Sequence, residues 1–334
     1  MQENALRVAL IGCGVVGEKR LHAIKETGLG ELVTAFDVSR ERAQALKVRV
    51  ARDAREILEN PNIDIVVIST PNIALSEYGV LALQNNKHVL IEKPGAVSPQ
   101  GIREMSRLAN TKQLRCKIGY NHRFLRSAQK ITAELNSGKW SDILWVRATY
   151  GHGGRPGYER EWRFNRELSG GGEIIDQGVH LLDLVQWWMK GPLTLAFSAR
   201  QNAFYRSTEE DNGFLVLRSE KGAIAQLHCS ATQWKNLFRI EIATHHGLLA
   251  WEGIENSSYG KEQLTLYRRN PEGGIPEKES CDITTDTSSW NEEWRHFYGC
   301  VLDDEKELLS SIEESEWIFR ILDQIHGDGV TQCR

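Results

Sequence analysis

A glycine-rich loop between a short apolar run and a helical segment constrains the fold of this chain more than any other feature. Residues 6–11 are apolar, and the loop follows at once with glycine at its first, third and sixth positions. In such a loop the first glycine allows a tight turn, the second lets the backbone approach a pyrophosphate, and the third lets the helix pack on the strand. The sequence therefore predicts a dinucleotide-binding site that contains Gly12, Gly14, Val15, Val16 and Gly17.

The choice of cofactor is predicted from the end of the second apolar run. Asp37 follows residues 32–36 and lies about 20 residues after the loop, where a carboxylate can accept hydrogen bonds from ribose hydroxyls. The same carboxylate repels a 2′-phosphate, so we expect NAD as the cofactor. Arg40 is near enough in sequence to bind such a phosphate, which keeps NADP as the alternative.

Strands and helices alternate as far as residue 118, which predicts an α/β domain with a doubly wound parallel sheet, a Rossmann fold. Ligands of such folds bind at the carboxyl edge of the sheet. Two further apolar runs, at residues 63–69 and 87–91, end in polar residues that we expect to contact the cofactor: Ser69, Thr70, Pro71, Asn72, Glu92 and Lys93. Lys93 precedes a proline, so its peptide bond is a candidate for the cis form.

From residue 119 onward the pattern becomes that of an α+β domain. Segments between residues 143 and 268 alternate in polarity or are rich in β-formers, which predicts a mostly antiparallel sheet. The predicted helices, at residues 127–135, 291–303 and 311–326, can cover one face of that sheet and leave the other open and apolar. We therefore expect a dinucleotide-binding domain at residues 1–118 and a second domain, which binds substrate, at residues 119–334.

One polar line interrupts an apolar helix predicted over residues 174–188. Asp176, His180 and Asp183 are spaced four and then three residues apart, which places their side chains on a single helical face. Two interpretations are open. The three residues form a solvated edge, or they form a catalytic face that points into a cleft.

Further motifs accompany the glycine loop, namely STPN, KHVLIEKP, GYNHRF and GGGEIIDQGVHLLDL. Together they resemble the Gfo/Idh/MocA family of NAD(P)-dependent oxidoreductases, from residue 6 to about residue 330. The resemblance implies that Lys93, Asp176 and His180 are the catalytic and substrate-binding residues. It also implies a homodimer or homotetramer, since family members commonly pair through the open sheet face. The chain departs from the family at Leu75, where many members carry a histidine.

A long loop rich in glycine and proline occupies residues 151–163. Such loops in compact domains are commonly functional, although a solvent-facing flap is the alternative. An indole can stack on a sugar ring while arginine and histidine bond its hydroxyls. The residues that we expect to bind substrate, besides the three catalytic ones, are Asn121, Arg123, His152, Arg155, Trp162 and Arg163.

Composition narrows the partners and the compartment. The formal net charge is −4 and no long basic run is present, which disfavours nucleic acid and anionic membranes as partners. No apolar run is long enough to cross a bilayer and no leader is recognisable, so we expect a cytoplasmic protein. The six cysteines lack metal-binding spacing, and we expect no metal site.

The sequence predicts an enzyme that transfers a hydride between a nicotinamide cofactor and a secondary alcohol or ketone of a sugar. A sugar or nucleotide-linked sugar is the expected substrate, and an inositol or other cyclic polyol is the alternative. A non-catalytic sensor of NAD(H) is the alternative from another class, because a fold alone does not establish a function. The presence of Lys93, Asp176 and His180 together favours the enzyme.

Overall fold

The computed structural model describes residues 5–255, 257–283 and 287–327, and its contacts divide the chain into two compact units. The first unit contains the chain up to Asn121 together with Ser289–Arg320. The second contains His122–Ser288 and the chain from Ile321 onward. The sequence predicted that residues 119–334 form one domain. The structure differs chiefly at Ser289–Arg320, which belongs to the first unit.

The first unit is built on a parallel sheet with helices between its strands. Its elements are β1 (Arg7–Ile11), α1 (Val15–Thr27), β2 (Glu31–Phe36), α2 (Arg40–Ala45), β3 (Arg49–Val50), α3 (Ala54–Leu58), β4 (Ile65–Ile68), α4 (Asn72–Gln84), β5 (His88–Glu92), α5 (Pro99–Lys112) and β6 (Cys116–Gly119). The strand order is β3-β2-β1-β4-β5-β6, and all neighbouring strands are parallel. The prediction of a doubly wound parallel sheet is confirmed.

The second unit is built on an eight-stranded sheet. Its elements are α6 (Arg126–Asn136), β7 (Ile143–Gly151), α7 (Arg166–Ser169), α8 (Val179–Met189), β8 (Leu193–Gln201), β9 (Asn212–Ser219), β10 (Ile224–Ser230), β11 (Leu237–Thr244), β12 (Gly247–Glu252), β13 (Gln263–Arg268) and β14 (Glu277–Asp282). The order is β14-β13-β12-β11-β7-β10-β9-β8, and among these pairs β7 and β10 run parallel while the others are antiparallel. The predicted mostly antiparallel sheet is confirmed.

The two faces of this second sheet differ in character. Helix α8 packs on β7 and β10, where residues such as Val146, Ala148 and Leu227 are buried. On the opposite face Phe197 is 56% exposed, and Arg147 lies 2.5 Å from the buried carboxylate of Glu241. The sequence predicted an apolar open face. The structure shows a mixed one, because outward-facing positions of β7 and β11 carry ion pairs between the apolar side chains.

Two helices close the chain, α9 (Ser289–Leu302) and α10 (Ile312–Gly327). Helix α9 packs against α1, and Trp294 and Phe297 join Val8 and Leu10 in the core of the first unit. Full burial of one such side chain stabilises a fold by about 1.5–3 kcal/mol, so α9 is an integral part of the first unit. Within the ranges given above, no helix combines the length and the apolar character that crossing a bilayer requires.

Candidate functional site

Each glycine of the loop between β1 and α1 meets a different steric demand. Gly12 has a φ of 96°, and a Cβ at this position would lie 2.5 Å from the backbone of Ser69. A Cβ on Gly17 would overlap the carbonyl oxygen of Gly12. An added Cβ on Gly14 would have nothing within 4 Å, and Gly14 directly precedes α1. This open space at a helix N-terminus fits a pyrophosphate. Val15 and Val16 form the first turn of α1, and Val15 is 73% exposed.

Asp37 connects the end of β2 to the glycine loop. One carboxylate oxygen accepts a hydrogen bond from the backbone N–H of Cys13 at 2.7 Å, and the other accepts one from Ser39 at 2.8 Å. Each oxygen keeps a second lone pair, and the half-buried carboxylate is accessible to a ribose hydroxyl. Arg40, the first residue of α2, is exposed. The predicted preference for NAD is compatible with this geometry and stays a prediction.

The end of β4 lies beside the same loop. The Ser69 hydroxyl donates to the carbonyl of Gly12 at 2.7 Å. Thr70 is half-buried, Pro71 precedes α4, and Asn72 is the first residue of that helix and is 7% exposed. Leu75, which stands where the resembled family often has a histidine, is fully buried.

The end of β5 places two charged residues in different surroundings. Glu92 is 7% exposed and bonds Arg20 at 2.6 Å, and Arg20 bonds Glu293 at the same distance. Burial raises the pKa of Glu92, and the charge of Arg20 opposes that rise. Lys93 is half-buried, and its peptide bond to Pro94 is cis. The carboxylate of Glu92 is thus bonded within the first unit, and its contact with a cofactor stays a prediction.

Asn121 and Arg123 are both bonded to protein groups. The Asn121 amide donates to the hydroxyl of Ser289 at 2.9 Å. Arg123 is fully buried, and it donates to the two carboxylate oxygens of Asp183 at 2.9 and 2.7 Å. This pair anchors α8, on which Asp183 lies. Substrate contact by Asn121 and Arg123 stays a prediction.

A π-helical turn, Ile174–Gly178, precedes α8 and carries Asp176. The sequence predicted one regular α-helix, in which Asp176, His180 and Asp183 share a face. That spacing does not apply across the turn, because a π-helix bonds residues five apart and advances each side chain differently. Asp183 faces Arg123, and Asp176 faces Arg163, whose Nε lies 3.2 Å from its carboxylate.

His180, in the first turn of α8, is 5% exposed and stacks on a second imidazole. The ring centroids of His180 and His122 are 3.9 Å apart, and the ring planes differ by 31°. The rings of Tyr150 and Phe238 pack around His122 at 5.4 and 5.7 Å. The sequence motif GYNHRF contains His122, but we selected its neighbours Asn121 and Arg123 as candidates. The position of His122 beside His180 depends on the packing of α8 on β7, which the sequence does not show.

Glu173 is a further acidic residue that we did not single out from the sequence. It is 1% exposed, its Oε2 lies 3.5 Å from Nε2 of His152, and its Oε1 accepts a bond from the Tyr158 hydroxyl at 3.1 Å. Because the backbone N–H of Gly154 donates to Nδ1 of His152, the neutral ring carries its proton on Nε2 and can donate it to Glu173. Burial raises the pKa of Glu173, and the nearby charge of Asp176 raises it further. The signal for Glu173 in the sequence was its position three residues before Asp176.

Two tyrosines complete the polar group around Asp176. Tyr150, on β7, and Tyr259 have ring centroids 5.3 Å apart, and their hydroxyls share a hydrogen bond. Burial raises the pKa of Tyr259 to about 12, with Glu173 and Asp176 adding to the shift. Both phenols are therefore neutral at working pH and can donate a proton in a hydrogen bond. Alternation along β7 points Tyr150 inward with Val146 and Ala148, whereas nothing in the sequence marks Tyr259.

The arginines of the long loop form ion pairs with acidic side chains. Arg155 lies 2.5 Å from the carboxylate of Glu161 and 5.0 Å above the ring of Tyr158. Arg163 bonds the same carboxylate at 3.1 Å and lies 4.9 Å from the ring of Trp162, which is half-buried. His152 and Arg163 are thus brought to Glu173 and Asp176, while Arg155 remains exposed at the rim of the loop.

Comparison with known families supports the assignment made from the motifs. Residues 6–120 match the family described as "Oxidoreductase family, NAD-binding Rossmann fold", and residues 128–250 match the "GFO/IDH/MocA C-terminal domain". The first unit is accordingly an NAD-binding domain.

Related proteins include several that act on sugars. The chain is 31% identical over 209 residues to D-glucoside 3-dehydrogenase of Escherichia coli (strain K12), an alignment that covers 60% of this chain and 58% of that protein. It is 28% identical over 279 residues to 1,5-anhydro-D-fructose reductase of Ensifer adhaerens, which covers 80% and 81% of the two chains.

Solved structures share the whole fold. A levoglucosan dehydrogenase in complex with NADH and levoglucosan superposes with a TM-score of 0.86 at 17% identity, over 96% of this chain and 95% of that one. An oxidoreductase domain protein from Kribbella flavida gives a TM-score of 0.86 at 20% identity, over 97% of both chains. With the two family matches, which together span more than half of the sequence, these comparisons show that the chain belongs to the GFO/IDH/MocA family of oxidoreductases.

Proposed function

We propose that this protein oxidises a secondary alcohol of a neutral sugar to a ketone, reversibly, with NAD as the hydride acceptor. The observation that carries the proposal is the polar group on the π-turn and α8. Asp176 and His180 lie there among buried apolar residues, and Glu173, His152 and Tyr150 surround them. Buried titratable side chains that lie together in one group are typical of functional sites.

The first unit supplies a fitting cradle for the dinucleotide. Gly14 and the N-terminus of α1 would hold the pyrophosphate, and Asp37 would accept bonds from the adenosine ribose. Lys93, at the carboxyl end of β5, stands at the sheet edge where ligands of such folds bind. When bound, the nicotinamide supplies an acceptor for the hydride that leaves the carbinol carbon.

The protein's own residues have to move one proton and stabilise one oxygen. His180 is the proposed proton carrier, because an imidazole exchanges protons near working pH and accepts the hydroxyl proton as the ketone forms. Lys93 is proposed to bond the same oxygen and to favour its developing negative charge. Asp176 is proposed to orient the substrate and to stabilise the imidazolium of His180.

The three arginines of the long loop, together with Arg166 of α7, favour a neutral sugar over a nucleotide-linked one. Each of these four arginines has an acidic neighbour within 4 Å: Arg155 and Arg163 share Glu161, Arg160 faces Glu159, and Arg166 faces Glu209. A site built for a diphosphate needs cations that are free to bind it. The names of the relatives, a D-glucoside 3-dehydrogenase and a 1,5-anhydro-D-fructose reductase, point to the same substrate class.

A substrate panel tests this proposal directly. Purified protein is supplied with NAD and, in turn, with free monosaccharides, simple glycosides, inositols and nucleotide sugars, and the absorbance of NADH is followed. We expect turnover with glycosides or monosaccharides. Turnover with inositols alone or nucleotide sugars alone would contradict the substrate class. Binding of NAD without turnover on any member of the panel would favour the sensor.

NAD is expected to bind at least ten times more tightly than NADP, because Asp37 repels a 2′-phosphate. Replacing Asp37 with asparagine removes the charge and leaves one acceptor oxygen, so NADP affinity should rise relative to NAD affinity. Titration of the intrinsic tryptophan fluorescence with both dinucleotides measures the four constants. Equal affinity of the wild type for the two cofactors would contradict the assignment and point to Arg40.

We propose further that the protein forms a homodimer, or a tetramer of dimers, through the open face of the second sheet. Phe197 lies on that face in β8 and is 56% exposed, and Val216 on β9 is its neighbour. Phe197→Glu would place a charge in the contact and is expected to yield monomers by light scattering at micromolar concentration. Phe204→Glu is the matched control, since Phe204 is equally exposed and lies in a loop outside the strands. A monomeric wild type would refute the proposal.

A further inference from the structure

Three successive backbone N–H groups at the start of the π-turn all bond one residue. Glu210 accepts bonds at its Oε1 from Gly172 and Ile174, both at 3.2 Å, and its backbone carbonyl accepts one from Glu173 at 3.1 Å. The first N–H groups of a helix have no partner within the helix, so an outside acceptor determines where the helix begins. Here one residue, which lies just before β9, provides that acceptor three times.

The contact is too close for any side chain at Gly172. A Cβ there would overlap the carbonyl oxygen of Glu210. The carbonyl of Gly172 in turn accepts the N–H groups of Ile175 and Asp176 at 3.1 and 3.0 Å. Bonds therefore connect Glu210 to the backbone of Asp176 in two steps.

Burying the carboxyl of Glu210 costs free energy that a neutral capping side chain would not cost. Glu210 is 4% exposed, and among the described residues its second carboxylate oxygen has no hydrogen-bond partner. Burial raises the pKa of Glu210 to about 7, the charge of Glu209 adds to the rise, and Arg200 opposes it. Cys229 on β10 is a further titratable group near Glu210, and its thiol is neutral because burial raises its pKa well above the usual value. A glutamine would bond the same N–H groups without this burden.

We propose that Glu210 is the positioning residue of the π-turn, which fixes Glu173 and Asp176 by binding the N–H groups of Gly172, Glu173 and Ile174. Because burial disfavours the ionised carboxylate, opening of the turn becomes easier as Glu210 loses its proton. The part of the proposal that concerns turnover rests on the proposed function. The part that concerns the turn does not.

Hydrogen exchange tests the turn without any substrate. In the wild type, protection of the amides of Gly172 and Ile174, corrected for intrinsic exchange, is expected to fall several-fold between pH 6 and pH 8, because ionisation of the buried carboxyl favours opening of the turn. Glu210→Gln should show no such fall, and Glu209→Gln should keep it because Glu209 faces Arg166 and does not bond the turn. Protection that is independent of pH in the wild type, or unchanged in Glu210→Gln, overturns the proposal.

Turnover and stability supply the second set of measurements. Glu210→Gln is expected to keep kcat within about threefold, because the amide oxygen accepts the same bonds. Glu210→Leu, which has no acceptor, is expected to lower kcat by about 10- to 100-fold with an unchanged Kd for NAD. Equal kcat in both variants, or loss of NAD binding in Glu210→Leu, refutes a positioning role. If the wild type turns over no sugar, the proposed function fails and the exchange experiment still decides on Glu210.

The sign of the pH effect on stability follows from the raised pKa. The pKa of Glu210 is about 7 in the folded protein and near 4.5 in the unfolded chain. The protonated carboxyl therefore favours the folded state at low pH, and this contribution to stability is lost as the pH rises from about 4.5 through 7. Glu210→Gln does not ionise. Its melting temperature should therefore exceed that of the wild type by a few degrees at pH 8 and match it at pH 5. The opposite order would show that the ionised form stabilises the fold and would overturn this account of the carboxyl.

Discussion

Replacement of His180 with alanine is expected to slow hydride transfer by about 10²–10⁴-fold, because the reaction then lacks its proposed proton carrier. Lys93→Ala should slow it at least as much, since in the proposed mechanism Lys93 supplies both a charge and a bond to the reacting oxygen. Dinucleotide affinity should remain nearly intact in the His180 variant, which leaves the glycine loop and Asp37 unchanged. Single-turnover absorbance at saturating NAD measures the chemical step.

If Lys93 and His180 act on one oxygen, as proposed, their effects are not additive, and the Lys93→Ala/His180→Ala double variant should be little slower than the poorer single variant. His228→Ala is the matched control. Like His180, His228 is an imidazole packed on an aromatic ring, with 4.3 Å between its centroid and that of Phe214, but it is half-buried and lies outside the polar group around Asp176. Near-normal turnover of His180→Ala with a wild-type melting curve would remove His180 from the mechanism.

The second large effect is expected from Arg123, which is fully buried against Asp183. Arg123→Met leaves the Asp183 carboxylate without its cation, and breaking a buried pair in this way costs about 3–5 kcal/mol. The melting temperature should fall by roughly 10 °C, given about 2–4 °C for each kcal/mol in domains of this size. Turnover should fall as well, because Asp183 follows His180 by less than one helical turn.

Two companion variants show whether the buried charge is the cause. Arg123→Met/Asp183→Leu replaces the pair with apolar groups and should recover part of the lost stability, since such replacements are often neutral. Arg147→Met breaks a pair in which the arginine side chain is 58% exposed, and an exposed pair contributes about 1 kcal/mol or less. If Arg123→Met melts with the wild type, the pair does not anchor α8.

The doubly wound parallel sheet could be predicted from the sequence because local signals agreed. Each buried strand is a short apolar run, each is bounded by glycine, proline or a polar residue, and a helix of suitable length follows. The second sheet was predicted less completely. Strand β14 is charged and mostly exposed, so neither apolar alternation nor β-formers reveal it. Helix α9 packs in the first unit although it follows the second unit in sequence, and hydrophobic periodicity does not predict such long-range packing.

Part of the candidate site was visible in the sequence and part was not. The glycine loop and Asp37 belong to one continuous strand-loop-helix-strand segment, where spacing alone predicts their roles. The surroundings of Asp176 come from separate places in the chain: Glu173 from just before the π-turn, Tyr150 from β7 and Tyr259 from a turn before β13. A regular helical period also misplaces Asp176, because the π-turn, which is bonded to the distant residue Glu210, interrupts the α-helix.

The packing of α9 on α1 has a consequence for how the chain is made. The core around Val8 and Leu10 is completed by Trp294 and Phe297, which the ribosome adds long after β6. At about 5–20 residues per second, roughly 10–30 s separate the synthesis of Asn121 from that of α9. During that interval the nascent N-terminal half exposes an apolar surface that only the finished chain can cover. Contacts of such high sequence separation slow folding, so the dinucleotide domain, although first in the sequence, is completed only late in synthesis.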